Sequence, residues 1–202
     1  MIVESVSIKI DAFRGLYANH GEDVVSKVLA HHAEHGGISR VVKIRDCHRI
    51  FLGIELSEHA VDVLAGRYAK LVEDAVAVCE SVPGAEELLQ NNKGARRFYV
   101  VSGTPEDELR RITDRRGISG YFEAIYGSPR GKEEIVEDVL RHHGLTPPEA
   151  LFVGDTMTDY RAAMATKVPF IGRVEATSGN PFPEGVTIVS DMAGLAAHMG
   201  IR

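Results

Sequence analysis

One segment is the most informative about the fold: Leu151-Phe152-Val153-Gly154-Asp155-Thr156-Met157-Thr158-Asp159. Its apolar run, ended by a glycine, is typical of a buried strand in a parallel sheet that is covered on both faces. Ligands of such sheets gather at the carboxyl ends of the strands, where Asp155 falls. Asp159 follows on the first turn of the next helix, so we expect both carboxylates to face one crevice.

Two hard oxygen donors at one strand end indicate a site for Mg2+. Aspartate is also favoured in turns and at helix N-termini, so the same two residues could serve only as a turn residue and a helix cap. The Gly-Asp-x-x-x-Asp pattern alone leaves both interpretations open.

The composition is that of an ordinary globular protein. With 202 residues, of which 44% are hydrophobic, the chain can bury a sizeable core as one domain or as a core with an inserted subdomain. The net charge of -6 argues against a nucleic-acid-binding surface. No apolar run approaches the ~18 residues of a membrane span, and the N-terminus lacks a signal-peptide pattern. We therefore expect a cytoplasmic monomer or homodimer that binds neither nucleic acid nor membrane, with Cys47 and Cys79 reduced.

The apolar spacing divides the chain in two. From Glu4 to about Val82 the period is helical, whereas strands alternate with helices after the turn at Val82-Pro83-Gly84. We predict an all-helical subdomain at 1-82 and an α/β core at 83-202, in which a Rossmann-like parallel sheet forms through right-handed crossovers. The predicted core strands lie at 98-101, 122-127, 151-153, 168-172 and 186-189.

Polar residues at three strand or loop ends predict a phosphate site. A hydroxyl and free backbone N-H groups at a helix start can hold phosphate oxygens, a lysine can neutralise their charge, and carboxylates can hold a divalent ion. Each residue has an ordinary structural alternative, such as a helix cap for Ser102 or a solvated side chain for Lys132. The residues that together predict phosphate binding are Ser102, Gly103, Thr104 and Lys132, with Asp155 and Asp159 as metal ligands.

Three motifs resemble those of the haloacid dehalogenase-like hydrolases, in the phosphoglycolate-phosphatase-like branch that has a helical cap inserted after the first strand. Val101-Ser102-Gly103-Thr104-Pro105 resembles the second motif of that family, Lys132 within Arg130-Gly131-Lys132 the third, and residues 153-159 the fourth. Residues 1-82 occupy the position of the cap. The resemblance implies a Mg2+-dependent phosphatase that acts on a small phosphorylated metabolite through an aspartyl-phosphate intermediate, with catalytic roles for Lys132, Ser102 and Asp159.

The first motif of the family, Asp-x-Asp-Gly-(Thr/Val), is absent from these 202 residues, and with it the aspartate nucleophile. Ile2-Val3-Glu4-Ser5-Val6 resembles what normally follows that motif. The resemblance therefore implies that this chain folds but is inactive as a phosphatase and binds Mg2+ weakly. Because the family's first strand lies between the strands that carry Ser102 and Asp155, we also expect a gap in the sheet there, or a replacement such as Met1 to Glu4 drawn in as a stub or a segment from another molecule.

A small basic cluster beside Gly36-Gly37-Ile38-Ser39-Arg40 suggests where the cap contacts an anionic tail of the substrate. It consists of Arg40, Lys43 and Arg45, with Arg49 nearby, and its structural alternative is a solvated helix face. Two other functions remain open. One is a phosphosugar mutase, which shares these core motifs, and the other is a non-catalytic member that binds a phosphorylated ligand or a partner protein.

Overall fold

The first part of the chain is helical, as its apolar spacing predicts. The computed structural model describes residues 2-175 and 179-200. Apolar side chains at helical spacing pack these helices around one buried cluster, which includes Phe13, Tyr17, Val28 and Ile44. The helices are α1 (Val6–Tyr17), α2 (Glu22–Glu34), α3 (Arg40–Cys47) and α4 (Glu58–Val78), with a 3-10 turn at Ala18–His20 and a π-helical turn at His48–Leu52.

Strands and helices alternate in the rest of the described chain, and its strand pairs are parallel. This arrangement confirms the predicted α/β class and the parallel pairing through crossovers. None of the described helices is long and apolar enough to cross a membrane. The elements are α5 (Ala85–Asn91), β1 (Phe98–Pro105), α6 (Glu106–Arg115), β2 (Phe122–Ser128), α7 (Lys132–His143), β3 (Phe152–Gly154), α8 (Met157–Thr166), β4 (Phe170–Arg173), β5 (Ile188–Val189) and α9 (Met192–Met199), with 3-10 turns at Ser119–Tyr121 and Pro147–Glu149.

The strands form two hydrogen-bonded groups, β1-β2 and β3-β4-β5. Within residues 2-175 and 179-200 no ladder joins β1 to β3, so the sheet is interrupted at the predicted place. The segment that follows Met1, which itself lies outside the described residues, pairs elsewhere: the Val82 N-H donates to the Ile2 carbonyl at 2.8 Å. Glu4 accepts two hydrogen bonds from the guanidinium of Arg173, at 2.6 and 3.0 Å. This segment is therefore tied to the α/β part by both backbone and side chain.

Helix α6 is fastened to α4 by three arginines, whose contacts we call the arginine seam. Arg111 binds both carboxylate oxygens of Glu73 at 2.8 Å, and Arg115 binds Asp74 at 2.7 Å. Arg116 donates to the carbonyl groups of Val76, Ala77 and Cys79. These carbonyls at the end of α4 lack partners within the helix, so the guanidinium satisfies them. Because these contacts join the helical part to the α/β part, the secondary structure alone does not define two separate domains. The boundary at residue 82 therefore stays a prediction.

Candidate active site

The end of β1 and the start of α7 meet at one cavity. Ser102 and Gly103 belong to β1, and Lys132 is the first residue of α7. All three line a cavity of about 370 Å³ together with Gly37, which belongs to the loop before α3. The Thr104 N-H donates to the hydroxyl of Ser102 at 3.2 Å, which orients that side chain. The structure thus brings three of the predicted phosphate-binding residues, Ser102, Gly103 and Lys132, to one cavity beside the helical part of the chain, whereas Thr104 does not line it.

Lys132 is held in a buried ion pair. Its Nζ donates to Oδ1 of Asp159 at 2.6 Å and to Oγ1 of Thr158 at 3.2 Å. The side chains of Lys132 and Asp159 are only 11% and 6% exposed, so solvent screens the pair weakly. The ammonium group therefore occupies one defined position at the cavity wall.

Asp159 also closes the N-terminus of α8. Its Oδ2 accepts hydrogen bonds from the backbone N-H of Thr156 at 3.1 Å and from the Thr156 hydroxyl at 2.6 Å, which completes a capping box. A Cβ at Gly154 would overlap the Asp159 side chain, so the glycine of the motif lets α8 begin this close to β3. Both carboxylate oxygens of Asp159 thus already have partners, and the helix-cap interpretation of this residue holds alongside its pairing with Lys132.

Asp155, the other predicted metal ligand, follows β3 directly at the carboxyl end of that strand. Burial by itself would raise the pKa of Asp155, but positive charges that include Lys9 and Lys132 outweigh this effect and lower it. The carboxylate is therefore ionised at neutral pH and offers the hard oxygen that Mg2+ prefers. No group of three or more His, Cys, Asp or Glu side chains suited to a metal occurs in the described part of the chain. A Mg2+ ion held by Asp155 would complete its shell with water, which this ion retains readily.

The loop before α3 contacts the motifs that are predicted to bind phosphate. The hydroxyl of Thr158 donates to the carbonyl of Gly36 at 3.0 Å. Gly37 has a φ of 77°, and a Cβ there would lie 2.7 Å from the Nζ of Lys132. A Cβ at Gly103 would overlap the carbonyl of Gly37. Only glycines allow the two backbones to approach this closely, so this contact, which we call the glycine contact, depends on residue size.

The residues of the basic cluster predicted in the cap lie in different surroundings and do not form one anion site. Arg40 forms a 2.7 Å ion pair with Glu108 of α6, and the two side chains are 7% and 5% exposed. Arg45 pairs with Glu58 on the exposed surface. The cavity lining instead takes its basic side chains from the α/β part. Sequence reasoning did not foresee the Arg40 pairing because Glu108 lies 68 residues away.

Lys43 is buried against the imidazole of His32. Its Nζ lies 3.2 Å from Nδ1 of His32. Burial, with the nearby charge of Lys9, lowers the pKa of Lys43 to about 8. Burial and the charge of Lys43 lower the pKa of His32 to about 3, so the imidazole is neutral and can accept a hydrogen bond from the ammonium. Lys43 is thus held inside the helical part, and it does not line the cavity.

Three residues at this site were not singled out from the sequence: Lys9, Thr158 and Arg161. Thr158 and Arg161 line the cavity, and Lys9 affects the pKa of Asp155. The helical spacing offered a signal for two of them. Since α8 begins at Met157, residues 158 and 161 share one face of that helix, and this face adjoins the cavity.

The chain matches known proteins over most of its length. A model of the haloacid dehalogenase-like hydrolase family matches residues 7–165. The chain belongs to this family. Phosphoglycolate phosphatase 1 of Pseudomonas aeruginosa is 27% identical to this family member over 165 residues, which cover 79% of the chain and 54% of that protein. The chain therefore spans about half the length of such curated relatives.

Solved structures of the family share the fold of this hydrolase-family chain. The structure of CbbY from Rhodobacter sphaeroides in complex with phosphate gives a TM-score of 0.73 at 16% identity, covering 96% of this chain and 92% of that one. The HAD-hydrolase YfnB of Bacillus subtilis, bound to magnesium, gives 0.72 at 15% identity, covering 100% and 95%. At these identities the likeness shows the fold alone. It confirms the Rossmann-like class predicted from the sequence.

Proposed function

We propose that this site binds the phosphate group of a small phosphorylated metabolite, and that the whole protein uses it for Mg2+-dependent phosphoryl chemistry. One observation carries the proposal. Lys132 lies at the wall of a cavity that also contains Ser102 and Gly103, and its ammonium is fixed there by Asp159 and Thr158. A fixed cation beside a hydroxyl is suited to a phosphate dianion.

Each residue has a distinct task in this proposal. The hydroxyl of Ser102 and the backbone of Gly103 hydrogen-bond phosphate oxygens at the end of β1. Lys132 balances the charge that these oxygens carry during transfer, and its ion pair with Asp159 keeps it in place without reorganisation. The glycine contact excludes water from the side of the cavity that faces the helical part.

Asp155 would hold the Mg2+ ion, with Asp159 acting on the site through Lys132. The bound ion would supply positive charge that screens the phosphate oxygens. The relatives named phosphoglycolate phosphatase support the choice of a phosphate ester, and the magnesium-bound family structure supports the choice of metal. In the proposed reaction an aspartate would be the nucleophile.

A second function, binding without turnover, is favoured by one specific observation. The 202 residues contain no Asp-x-Asp-Gly motif to supply the nucleophile. Glu4 is not available as a nucleophile, because Arg173 binds both carboxylate oxygens of Glu4. We therefore expect this chain to bind phosphate and a phosphate ester but to release the ester unchanged.

The test is calorimetric titration of the 202-residue chain with inorganic phosphate and with Mg2+, beside an assay of phosphate release from a generic ester. Lys132→Met should weaken phosphate binding at least tenfold, because it removes the cation that meets the phosphate. Asp155→Asn should weaken Mg2+ binding. Lys70→Met, on an exposed position of α4, is the matched control and should change neither.

Circular dichroism must show that the variants fold, since Lys132→Met leaves Asp159 without its cation. Phosphate binding that survives Lys132→Met unchanged in a folded variant would contradict the proposed site. Ester hydrolysis by the unaltered chain, abolished by Asp155→Ala, would show that the chain is active and that its nucleophile lies within these 202 residues.

A further inference from the structure

Helix α4 carries three exposed apolar side chains on one face. Val63, Leu71 and Val78 are 49%, 51% and 78% exposed. Arg67 and Asp74, also exposed, lie among them, because each helical residue turns by about 100° and the five positions fall within an arc of about 80°. Single exposed apolar residues are normal on a soluble protein, but three on one helix face, with charges between them, can form a contact surface. We call these five residues the α4 stripe.

The α4 stripe is symmetric along the helix. Its midpoint lies between positions 70 and 71. Val63 lies seven residues before position 70 and Val78 seven residues after position 71, whereas Arg67 and Asp74 each lie three residues from the same two positions. Leu71 is next to the midpoint. An apolar residue therefore matches an apolar residue, and a cation matches an anion, when the stripe is read in opposite directions.

This symmetry fits an antiparallel copy of the same helix. With a two-fold axis through the midpoint, Val63 would face Val78 of the second copy, and Leu71 would face Leu71 of the second copy beside the axis. Arg67 would face Asp74 of the second copy, and this pair would occur twice. A parallel pair of helices would instead set each charge against its own kind, which is unfavourable.

The two charged residues of the α4 stripe have room for such a contact. Arg67 forms no ion pair with any residue in the described ranges. Asp74 is paired with Arg115, but its side chain remains 85% exposed, so a second guanidinium can approach it. Opposite charges that face each other across an interface fix its orientation and register.

We propose that the α4 stripe is the interface of a homodimer, in which α4 packs in antiparallel orientation against α4 of a second copy. An interface between two identical chains related by a two-fold axis requires a surface that is complementary to itself, and the α4 stripe has this property. A contact of one helix with one helix is small for a protein interface, so the association is weak and depends on protein concentration.

The experiment is sedimentation velocity of the 202-residue chain over about a hundredfold range of concentration, because mass action shifts a weak dimer across such a range. We expect the sedimentation coefficient to rise with concentration. Leu71→Glu should weaken the association at least tenfold, since it sets two like charges beside the axis. Met164→Glu, which adds the same charge at an exposed apolar position of α8, is the matched control and should associate as the unaltered chain does.

A pair of charge reversals tests the orientation. Arg67→Glu and Asp74→Lys should each prevent self-association, because like charges then face each other in both symmetric pairs. A mixture of the two variants should form a heterodimer, since every facing pair again has opposite charges. A purely structural role of either residue within its own chain would not restore association in the mixture. Circular dichroism checks that each variant is folded.

The outcomes decide the proposal without reference to phosphate or Mg2+ binding. A chain that stays monomeric at the highest concentration would overturn it. A dimer that persists in folded Leu71→Glu would overturn it as well, because the interface would lie on another surface. If Leu71→Glu is monomeric but the mixed charge variants do not associate, the antiparallel register is wrong.

Discussion

Two of the contacts between the helical part and the α/β part differ in chemistry. At the arginine seam, long side chains reach across to α4, and Arg115 and Asp74 are 44% and 85% exposed. At the other contact, the ion pair of Arg40 and Glu108 is buried, and its two side chains are 7% and 5% exposed. Exposed ion pairs contribute little because water and salt screen them, whereas a buried charge that loses its partner is costly. The exposed ion pair of Arg115 and Asp74 should therefore tolerate substitution, and the buried pair of Arg40 and Glu108 should not.

The largest effect should come from Arg40→Met. It leaves the carboxylate of Glu108 buried without a cation, and we expect the free energy of unfolding to fall by about 3–5 kcal/mol. Urea denaturation followed by circular dichroism measures the change. Replacing both partners, as Arg40→Met with Glu108→Leu, should recover most of the loss, because no uncompensated charge then remains. Arg45→Met is the surface control, and a similar loss in that variant would remove the distinction between the two regions.

Gly37→Ala should have the next largest effect. The new methyl group would meet the hydroxyls of Thr156 and Thr158 and the Nζ of Lys132, in addition to straining a backbone with φ of 77°. Gly53→Ala is matched for backbone strain, since Gly53 has a φ of 66° with no atom within 4 Å of its Cβ position. We expect Gly37→Ala to cost about 1–3 kcal/mol more than Gly53→Ala, as overpacking does.

The same urea denaturation gives this difference, and phosphate titration should show weaker binding only for Gly37→Ala. If Gly37→Ala and Gly53→Ala lowered the free energy of unfolding equally, the glycine contact would have room for a methyl group, contrary to its geometry.

The smallest effect should come from Arg115→Ala in the arginine seam. Its pair with Asp74 is largely exposed, so the loss should lie within about 0–1 kcal/mol and shrink further at high salt. Urea denaturation at low and high ionic strength measures both. A loss above about 2 kcal/mol that salt does not reduce would show that the seam, and not the buried region, holds the two parts together.

Much of the fold could be predicted because the relevant signals are local. Strand β2 (Phe122–Ser128) covers the strand predicted at 122-127, which is a short run of aromatic and β-branched residues that ends at a glycine. The proximity of Lys132 to Asp159 followed from a general rule, because parallel strands end at one edge of a sheet. Both predictions used residues whose placement depends on their own strand or helix.

The contacts between distant segments could not be predicted in this way. The pairing of Arg40 with Glu108 depends on how α3 packs on α6, and the hydrogen bond from Thr158 to Gly36 spans 122 residues. Nothing in the local spacing around Arg40 distinguishes a ligand-binding arginine from one that neutralises a buried carboxylate. The roles of the individual site residues likewise stay predictions until binding is measured.

The double role of Asp159 has a consequence for how the site assembles during folding. One carboxylate completes the capping box with Thr156 and also holds Lys132, so the start of α8 and the position of the lysine depend on the same side chain. When α8 docks beside α7 during refolding, the same step positions the ammonium group of Lys132. We therefore expect recovery of helical structure here and recovery of phosphate affinity to follow one time course, because formation of this helix start is what orders the binding group.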